Sequence, residues 1–213
     1  MQNLHIVKRP LVNYGWENVV ALPVAQSKHT SIFFAEGRIQ GQSETYLTPK
    51  GIKQAKELHE QLKDVQFDVV FSSPLARAKD TCEIILGGDL SNVVFDPCLM
   101  ERDLGEMVGK LDNFMTFWHT KKPRTAKGVE SIQAMEQRIF PFIDKLIKDY
   151  KGKNVLIVTH QGTLFIFENY FGNAPKDGDY MPLRLHGCGY RIYDTVKMKK
   201  SKEQGQDSTG TSG

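Results

Sequence analysis

The chain has 213 residues, of which 40% are hydrophobic and 25% are charged, and this composition predicts a soluble globular protein of one large or at most two small domains. The net charge of +3 is small, and much of the excess lies in lysines near the C-terminus, so it gives no reason to expect nucleic acid as a partner. The three cysteines form no Cys-x-x-Cys pair, which argues against a zinc site or a disulfide framework and favours a reducing, cytoplasmic compartment. No apolar run approaches membrane-spanning length, so we expect no membrane as a partner either.

Strands and helices alternate along the first half of the chain. Apolar runs at residues 4–7 and 19–25 predict two strands. Thr48 as an N-cap and Pro49 as the first helical residue predict a helix that ends near Leu62. Further along, strands are predicted at 69–71 and 93–95, a helix at 75–86 that ends at two glycines, and a loop at 99–109.

The same alternation continues to residue 193. A short aromatic-rich helix is predicted at 112–119, and Ser131 begins a long amphipathic helix that reaches about Tyr150 and should be kinked at Pro141. The remaining elements are a buried strand at 155–158, a helix at 164–171 and a last strand at 190–193.

This order of elements predicts an α/β protein, a three-layer α/β/α sandwich with a mostly parallel central sheet. We expect one domain over residues 1–195. Residues 196–213 are basic and polar with nothing to bury, so we expect a disordered tail there.

Three polar residues follow consecutive predicted strands, at the sheet edge where parallel sheets bind ligands. Arg77 lies in the first turn of a helix, where backbone N–H groups, the helix dipole and the guanidinium fork all favour phosphate. Glu101 and His160 follow the next two strands of this set. Each residue alone has an ordinary structural explanation: Arg77 could point to water, and a single histidine after a strand is more often structural. Together, a cation, a carboxyl group and an imidazole match a pocket for phosphoryl transfer or ester hydrolysis.

Five segments occur in a specific combination and order. They lie at residues 37–41 with 47–55, at 72–78 with Thr81, at 101–109, at 128–131 and at 159–162. Together they resemble motifs of the histidine phosphatase superfamily, the phosphoglycerate mutase-like group, over about residues 18 to 194. Segment 72–78, Ser-Ser-Pro-Leu-Ala-Arg-Ala, resembles the family's second arginine motif. Segment 159–162, Thr-His-Gln-Gly, resembles its second-histidine motif, with glutamine where glycine is usual.

The resemblance implies a role for each matched residue. Arg77 would bind the phosphoryl group, Glu101 would donate and accept the proton, and His160 would stabilise the phosphoryl oxygens. Arg38 and Gln40 would lie at the rim and help to select the substrate, a small phosphorylated or anionic molecule. No metal or other cofactor is implied, because arginines and histidines supply the positive charge that magnesium supplies elsewhere. A mutase is less expected, since segment 109–128 is short, and the sequence does not decide between a monomer and a homodimer.

The family's defining Arg-His-Gly motif, whose histidine becomes phosphorylated, is missing from this chain, and so is the asparagine that follows it. Three alignments stay open. Without a gap, Ser27, Lys28 and His29 take the places of arginine, histidine and glycine. A one-residue deletion puts Lys28 on the arginine and His29 on the nucleophile. The third uses residues 4–7 as the first strand and yields Lys-Arg-Pro at 8–10 after a long insertion.

These alignments predict different chemistry. If His29 faces Arg77, its neutral imidazole can attack phosphorus while Lys28 holds the phosphate. If Lys28 faces the pocket, a protonated amine (lysine's reference pKa is about 10.4) binds phosphate esters without turning them over. We expect a phosphatase-like hydrolase with an atypical nucleophile region, because the other site residues are intact. The alternative is a catalytically degraded member that serves as a phospholigand-binding or assembly module.

Overall fold

The computed structural model describes residues 36–111, 118, 119, 121, 126–185 and 188–193, together with the backbone of residues 19–23. The predicted strand at 4–7, most of the predicted helix at 112–119 and the predicted tail at 196–213 lie outside the described residues, as do Lys28 and His29. Within the described ranges, every helix is too short or too polar to cross a membrane. All three cysteines are free.

The strands form one sheet in the order β3-β2-β4-β1-β5. Its strands are β1 (Val19–Pro23), β2 (Val69–Ser72), β3 (Val93–Phe95), β4 (Val155–Thr159) and β5 (Arg191–Tyr193). The first four are parallel, and β5 pairs antiparallel with β1 at the edge. The mostly parallel sheet is therefore confirmed.

In the ranges given above, four α-helices connect or follow these strands. They are α1 (Pro49–Leu62), α2 (Ala76–Ile85), α3 (Ile132–Asp149) and α4 (Gln161–Tyr170). The predicted N-caps of α1 and α3 are confirmed, since Thr48 Oγ1 accepts the N–H of Gly51 at 3.1 Å and Ser131 Oγ accepts that of Ala134 at 3.0 Å. Helix α3 continues through Pro141 as one assigned helix.

The predicted start of α4 is wrong by three residues. The apolar pattern begins at Leu164, but the helix begins at Gln161, directly after His160. Its first turn, Gln-Gly-Thr, contains no large apolar residue from which a helix could be predicted. Contacts with the loop that carries Glu101 hold this turn in place instead. Because the helix starts earlier, His160 is its N-cap.

Helices cover both faces of the sheet. Val70 of β2 and Leu156 of β4 pack in one apolar cluster with residues of α1 and α2. The next residues along the same strands, Phe71 and Ile157, pack in a second cluster with residues of α3 and α4. Since successive side chains of a strand point to opposite faces, these clusters form the two sides of a three-layer α/β/α sandwich, as predicted.

The register brings the carboxyl ends of the parallel strands to one edge. Pro23 of β1 pairs with Thr159 of β4, and Ser72 of β2 pairs with both Val158 of β4 and Phe95 of β3. The segments that leave these four strands therefore start side by side. Arg77, Glu101 and His160 all lie on such segments.

Candidate active site

Arg77 is a buried cation at this edge, with an exposed fraction of 1%. It lies in the first turn of α2. Its Nη1 donates to the backbone oxygen of Ser43 at 2.9 Å and, more weakly, to Thr45 Oγ1 at 3.5 Å, while Nη2 donates to the backbone oxygen of Gly41 at 2.8 Å. Segment 41–45 thus wraps around one side of the guanidinium and holds it in place.

The opposite edge of the Arg77 guanidinium is not used in this way. Its buried Nε has no hydrogen-bond partner among the described residues, and Nη2 carries a second N–H beyond the one given to Gly41. Nε and Nη2 lie along one edge of the planar group, an arrangement that can match two oxygens of a phosphate or carboxylate. Burial lowers the pKa of Arg77 to about 10, against the opposing effect of Glu101 and Glu44, so the group stays charged at neutral pH.

The N-terminus of α2 holds an anion that belongs to the protein itself. The backbone N–H of Ala76 donates to Glu44 Oε2 at 3.1 Å. The sequence predicted that this helix end would favour an anionic ligand, and the carboxylate of Glu44, from segment 41–45, occupies part of it instead. The guanidinium of Arg77, rather than this helix end, is therefore the stronger feature for binding a phosphate.

His160 is fully buried between β4 and α4. Its Nε2 lies 2.7 Å from Oγ of Ser73, the residue directly after β2, and its Nδ1 has no hydrogen-bond partner in the described part of the chain. Burial first, and then the positive charges of Arg77 and Arg138, lower the pKa of His160 well below its ordinary value of 6.5. The imidazole is therefore neutral at physiological pH, with one donor and one acceptor nitrogen.

Glu101 packs directly on the first turn of α4. Its Oε1 accepts the backbone N–H of Arg102 at 2.8 Å, and its Oε2 accepts that of Gly162 at 3.3 Å. A Cβ atom at position 162 would lie 2.1 Å from Glu101 Oε1 and 2.4 Å from two ring atoms of Trp118. Only glycine leaves room for this contact, which explains why the second residue of α4 has no side chain.

Threonines on either side of His160 fasten the loop that carries Glu101. Thr159 Oγ1 donates to the backbone oxygen of Leu99 at 2.7 Å, and Thr163 Oγ1 donates to that of Met100 at 2.9 Å. The positions of the imidazole and the carboxylate are therefore coupled through short bonds between their own segments.

Arg77, Glu101 and His160 are brought together, as the strand-end argument predicted. The charge of Arg77 acts on His160, and that of Glu101 acts on Arg77. Arg38 is more exposed than this group: its side chain is 41% exposed, and it binds Glu36 at 2.9 Å and the backbone oxygen of Gly109 at 2.8 Å.

Gln40 is only 4% exposed, so it lies inside its loop rather than on the surface. The roles assigned to these site residues, including those of Lys28 and His29, stay predictions. In the described part of the chain no three His, Cys, Asp or Glu side chains are grouped to hold a metal ion. The absence of a metal in the reaction likewise stays a prediction.

Sequence reasoning missed two contributors to the site. Ser73 belongs to segment 72–78, but the motif gives it no role. It directly follows β2, and β2 lies beside β4, so a polar residue at this position could be expected to bond the residue that follows β4. Trp118 belongs to the aromatic-rich segment 112–119, where such a residue could either cap the pocket or pack on the sheet. It is fully buried, and its ring centroid lies 5.0 Å from that of Phe165 in an edge-to-face contact. Two of its ring atoms would lie 2.4 Å from a Cβ atom at position 162, and this contact with α4 supports packing.

Residues 29–200 match the sequence model of the histidine phosphatase superfamily (branch 1). The chain belongs to this superfamily. The adenosylcobalamin/alpha-ribazole phosphatase of Escherichia coli (strain K12) is 32% identical over 138 residues, which cover 61% of this chain and 68% of that protein. The probable phosphoglycerate mutase GpmB of Erwinia tasmaniensis is 31% identical over 174 residues, covering 77% of this chain and 80% of that protein.

The fold of this superfamily member also matches that of solved structures. The structure of Bacillus stearothermophilus YhfR aligns with a TM-score of 0.74 and 26% sequence identity, covering 83% of this chain and 90% of that one. The phosphoglycerate mutase-like fold is thereby confirmed. Relatives are named as phosphatases or mutases, which supports an enzyme of the phosphatase type.

Proposed function

We propose that this superfamily member is a metal-independent phosphomonoesterase that hydrolyses a small phosphate ester. One observation carries the proposal: the buried guanidinium of Arg77, held by segment 41–45, keeps its Nε without a hydrogen-bond partner among the described residues, near a neutral His160 and Glu101. A dianionic phosphoryl group is the ligand that suits such a guanidinium. Membership of a superfamily whose relatives include phosphatases supports the same conclusion.

In this proposal the phosphoryl oxygens bind to Arg77 and His160. Ser73 Oγ accepts the N–H of Leu75 at 3.4 Å and so has its own proton to donate to His160 Nε2. The single proton of the neutral imidazole then sits on Nδ1, where it donates to a phosphoryl oxygen. This donor stabilises charge on the transferring group without adding a second buried cation beside Arg77.

The covalent steps fall to His29 and Glu101. The imidazole of His29 attacks phosphorus while the ester P–O bond breaks, and the carboxylic acid of Glu101 gives its proton to the leaving oxygen. The Glu101 carboxylate then takes a proton from water as the water oxygen attacks the phosphohistidine. The products are the free alcohol, inorganic phosphate and a regenerated imidazole. Lys28 adds a point charge for the phosphate, and Arg38 and Gln40 select the substrate.

The position of β1 supports the two alignments that start from it. Val19–Pro23 lies beside β4, with Pro23 paired to Thr159, so the chain that leads to Lys28 and His29 leaves the sheet next to His160. The third alignment would need residues 4–7 in that place.

The test is a turnover assay in excess chelator. Wild type, His29→Ala and the control His59→Gln, on α1 away from this edge, are assayed with p-nitrophenyl phosphate and a panel of sugar and glycerate phosphates. We expect turnover by wild type and the control and its loss in His29→Ala. Equal background rates in wild type and His29→Ala would refute the proposal.

A second candidate function is favoured by the missing Arg-His-Gly motif. If Lys28 rather than His29 faces Arg77, the site binds phosphate esters without hydrolysing them. Thermal-shift titrations with inorganic phosphate and with vanadate then give binding that Arg77→Met abolishes, in a protein with no turnover. Robust turnover by wild type rules this candidate out.

A further inference from the structure

Arg138 of α3 makes five hydrogen bonds near Glu101, three to backbone oxygens of the loop that carries the acid and two to the carboxylate of Glu130. Arg138 Nη1 donates to the backbone oxygens of Cys98 and, at 3.0 Å, of Met100. Its Nη2 donates to the backbone oxygen of Glu101 at 3.3 Å and to Glu130 Oε2 at 3.0 Å. Its Nε donates to Glu130 Oε1 at 2.7 Å.

Glu130 also bonds the two residues that follow Glu101. Its Oε2 also accepts the backbone N–H of Asp103 at 3.2 Å, and its own backbone oxygen accepts Nε of Arg102 at 2.7 Å. The side chains of Arg138 and Glu130 are only 21% and 15% exposed. We call this pair, with its bonds to segment 98–103, the Arg138–Glu130 clasp.

The chemistry of the clasp fits a role in fixing geometry. A guanidinium is planar and presents its donors in a rigid fork, so it fixes several acceptors relative to one another, whereas a lysine amine would supply a point charge. The acceptors fixed here are backbone oxygens of the loop, including that of Glu101 itself. The loop is therefore held in place both by Arg138 and by the first turn of α4.

We propose that Arg138 and Glu130 are positioning residues that keep the Glu101 carboxyl group in line with the leaving oxygen of the substrate. The inference rests on the proposed function, in which Glu101 is the acid. A misplacement of about 1 Å in a catalytic group costs about 100-fold in rate, so the loss of the clasp reaches the reaction without any contact to substrate.

The test exploits the leaving group. An alkyl phosphate such as glycerol phosphate needs a proton on its leaving oxygen, whereas p-nitrophenolate leaves without one. Because Glu101 also serves the hydrolysis of the phosphohistidine, which is common to all substrates, the comparison uses kcat/KM, which reports the step in which the leaving group departs. Arg138→Met and Glu130→Gln should lower kcat/KM for glycerol phosphate at least about tenfold more than for p-nitrophenyl phosphate, as Glu101→Gln should. The matched control is Lys145→Met, which removes an exposed ion pair from the same helix, and it should leave both rates unchanged. Equal losses on both substrates, or no loss, would overturn the inference.

A double variant separates positioning from stability. Glu130→Met with Arg138→Met removes both charges, so it leaves no unpaired charge and should recover part of the stability that either single change loses. Turnover of glycerol phosphate should stay low in this variant and in Arg138→Lys. If it returns together with stability, the clasp is structural only and the inference fails.

Absence of turnover in wild type would defeat the proposed function but would still leave the clasp open to test. The amides of Arg102 and Asp103 donate to Glu101 and Glu130, so their hydrogen exchange reports on the loop directly. Arg138→Met should speed their exchange, and Lys145→Met should not. Unchanged exchange in Arg138→Met would overturn the positioning role by itself.

Discussion

Replacement of His160 by glutamine should reduce the loss of stability below neutral pH. His160 is fully buried, and burial together with Arg77 and Arg138 lowers its pKa well below the ordinary value of 6.5. In the unfolded chain the imidazole regains that ordinary value and takes up a proton that the folded protein excludes. A lowered histidine pKa therefore leaves stability intact above about pH 7 and removes it as the pH falls through 6.5.

The size of the effect follows from linkage. If only the unfolded state is protonated, the free energy of unfolding falls by RT ln(1 + 10^(6.5 − pH)), which is about 0.1 kcal/mol at pH 7.5 and about 2 kcal/mol at pH 5.0. Between these two pH values the wild type should lose about 2 kcal/mol more than His160→Gln. Contributions from the carboxyl groups are common to both proteins and cancel in the difference.

The assay is urea unfolding at several pH values from 7.5 to 5.0, followed by tryptophan fluorescence, to which the buried Trp118 contributes. Ser73→Ala is the control, because it keeps the buried imidazole and removes only its 2.7 Å hydrogen bond. It should be less stable by about 1 kcal/mol at every pH and keep the wild-type slope. If wild type and His160→Gln lose stability in parallel as the pH falls, the argument from a neutral buried imidazole is wrong.

Two further substitutions test the packing around the site and at the far edge of the sheet. Gly162→Ala places a methyl group 2.1 Å from Glu101 Oε1, so it should cost about 1–3 kcal/mol in unfolding experiments and lower turnover; an unchanged melting temperature with full activity would contradict the contact. Glu168 is fully buried, pairs with Arg191 and accepts the hydroxyl of Tyr193 at 2.7 Å, so Glu168→Gln should destabilise the protein by about 3–5 kcal/mol. The exposed-pair variant Lys63→Gln is its control, and similar small losses in both would show that the buried charge pair contributes little.

Elements with strong local signals were predicted well. Helix α1 begins at Pro49, directly after its threonine cap, and α3 begins after its serine cap, because these capping side chains satisfy the first free N–H groups of a helix wherever it packs. Strand β4 was found because a fully buried strand is continuously apolar. The start of α4 was missed, since its first turn carries polar and small residues whose placement depends on the Glu101 loop and not on local periodicity.

By itself the sequence determined the alternation of strands and helices, and with it the expectation that Arg77, Glu101 and His160 would meet at one sheet edge. That expectation needs only the rule that parallel strands end together. Only the tertiary structure decided how these groups are held. Ser73 bonds His160, the N–H of Gly162 donates to Glu101, and Arg138 donates to backbone oxygens of the loop that carries Glu101. The physical reason is that a hydrogen bond or a close contact needs atoms placed to within a fraction of an ångström. Segments far apart in the chain reach that accuracy only when the register of the sheet and the packing of both helix layers are complete.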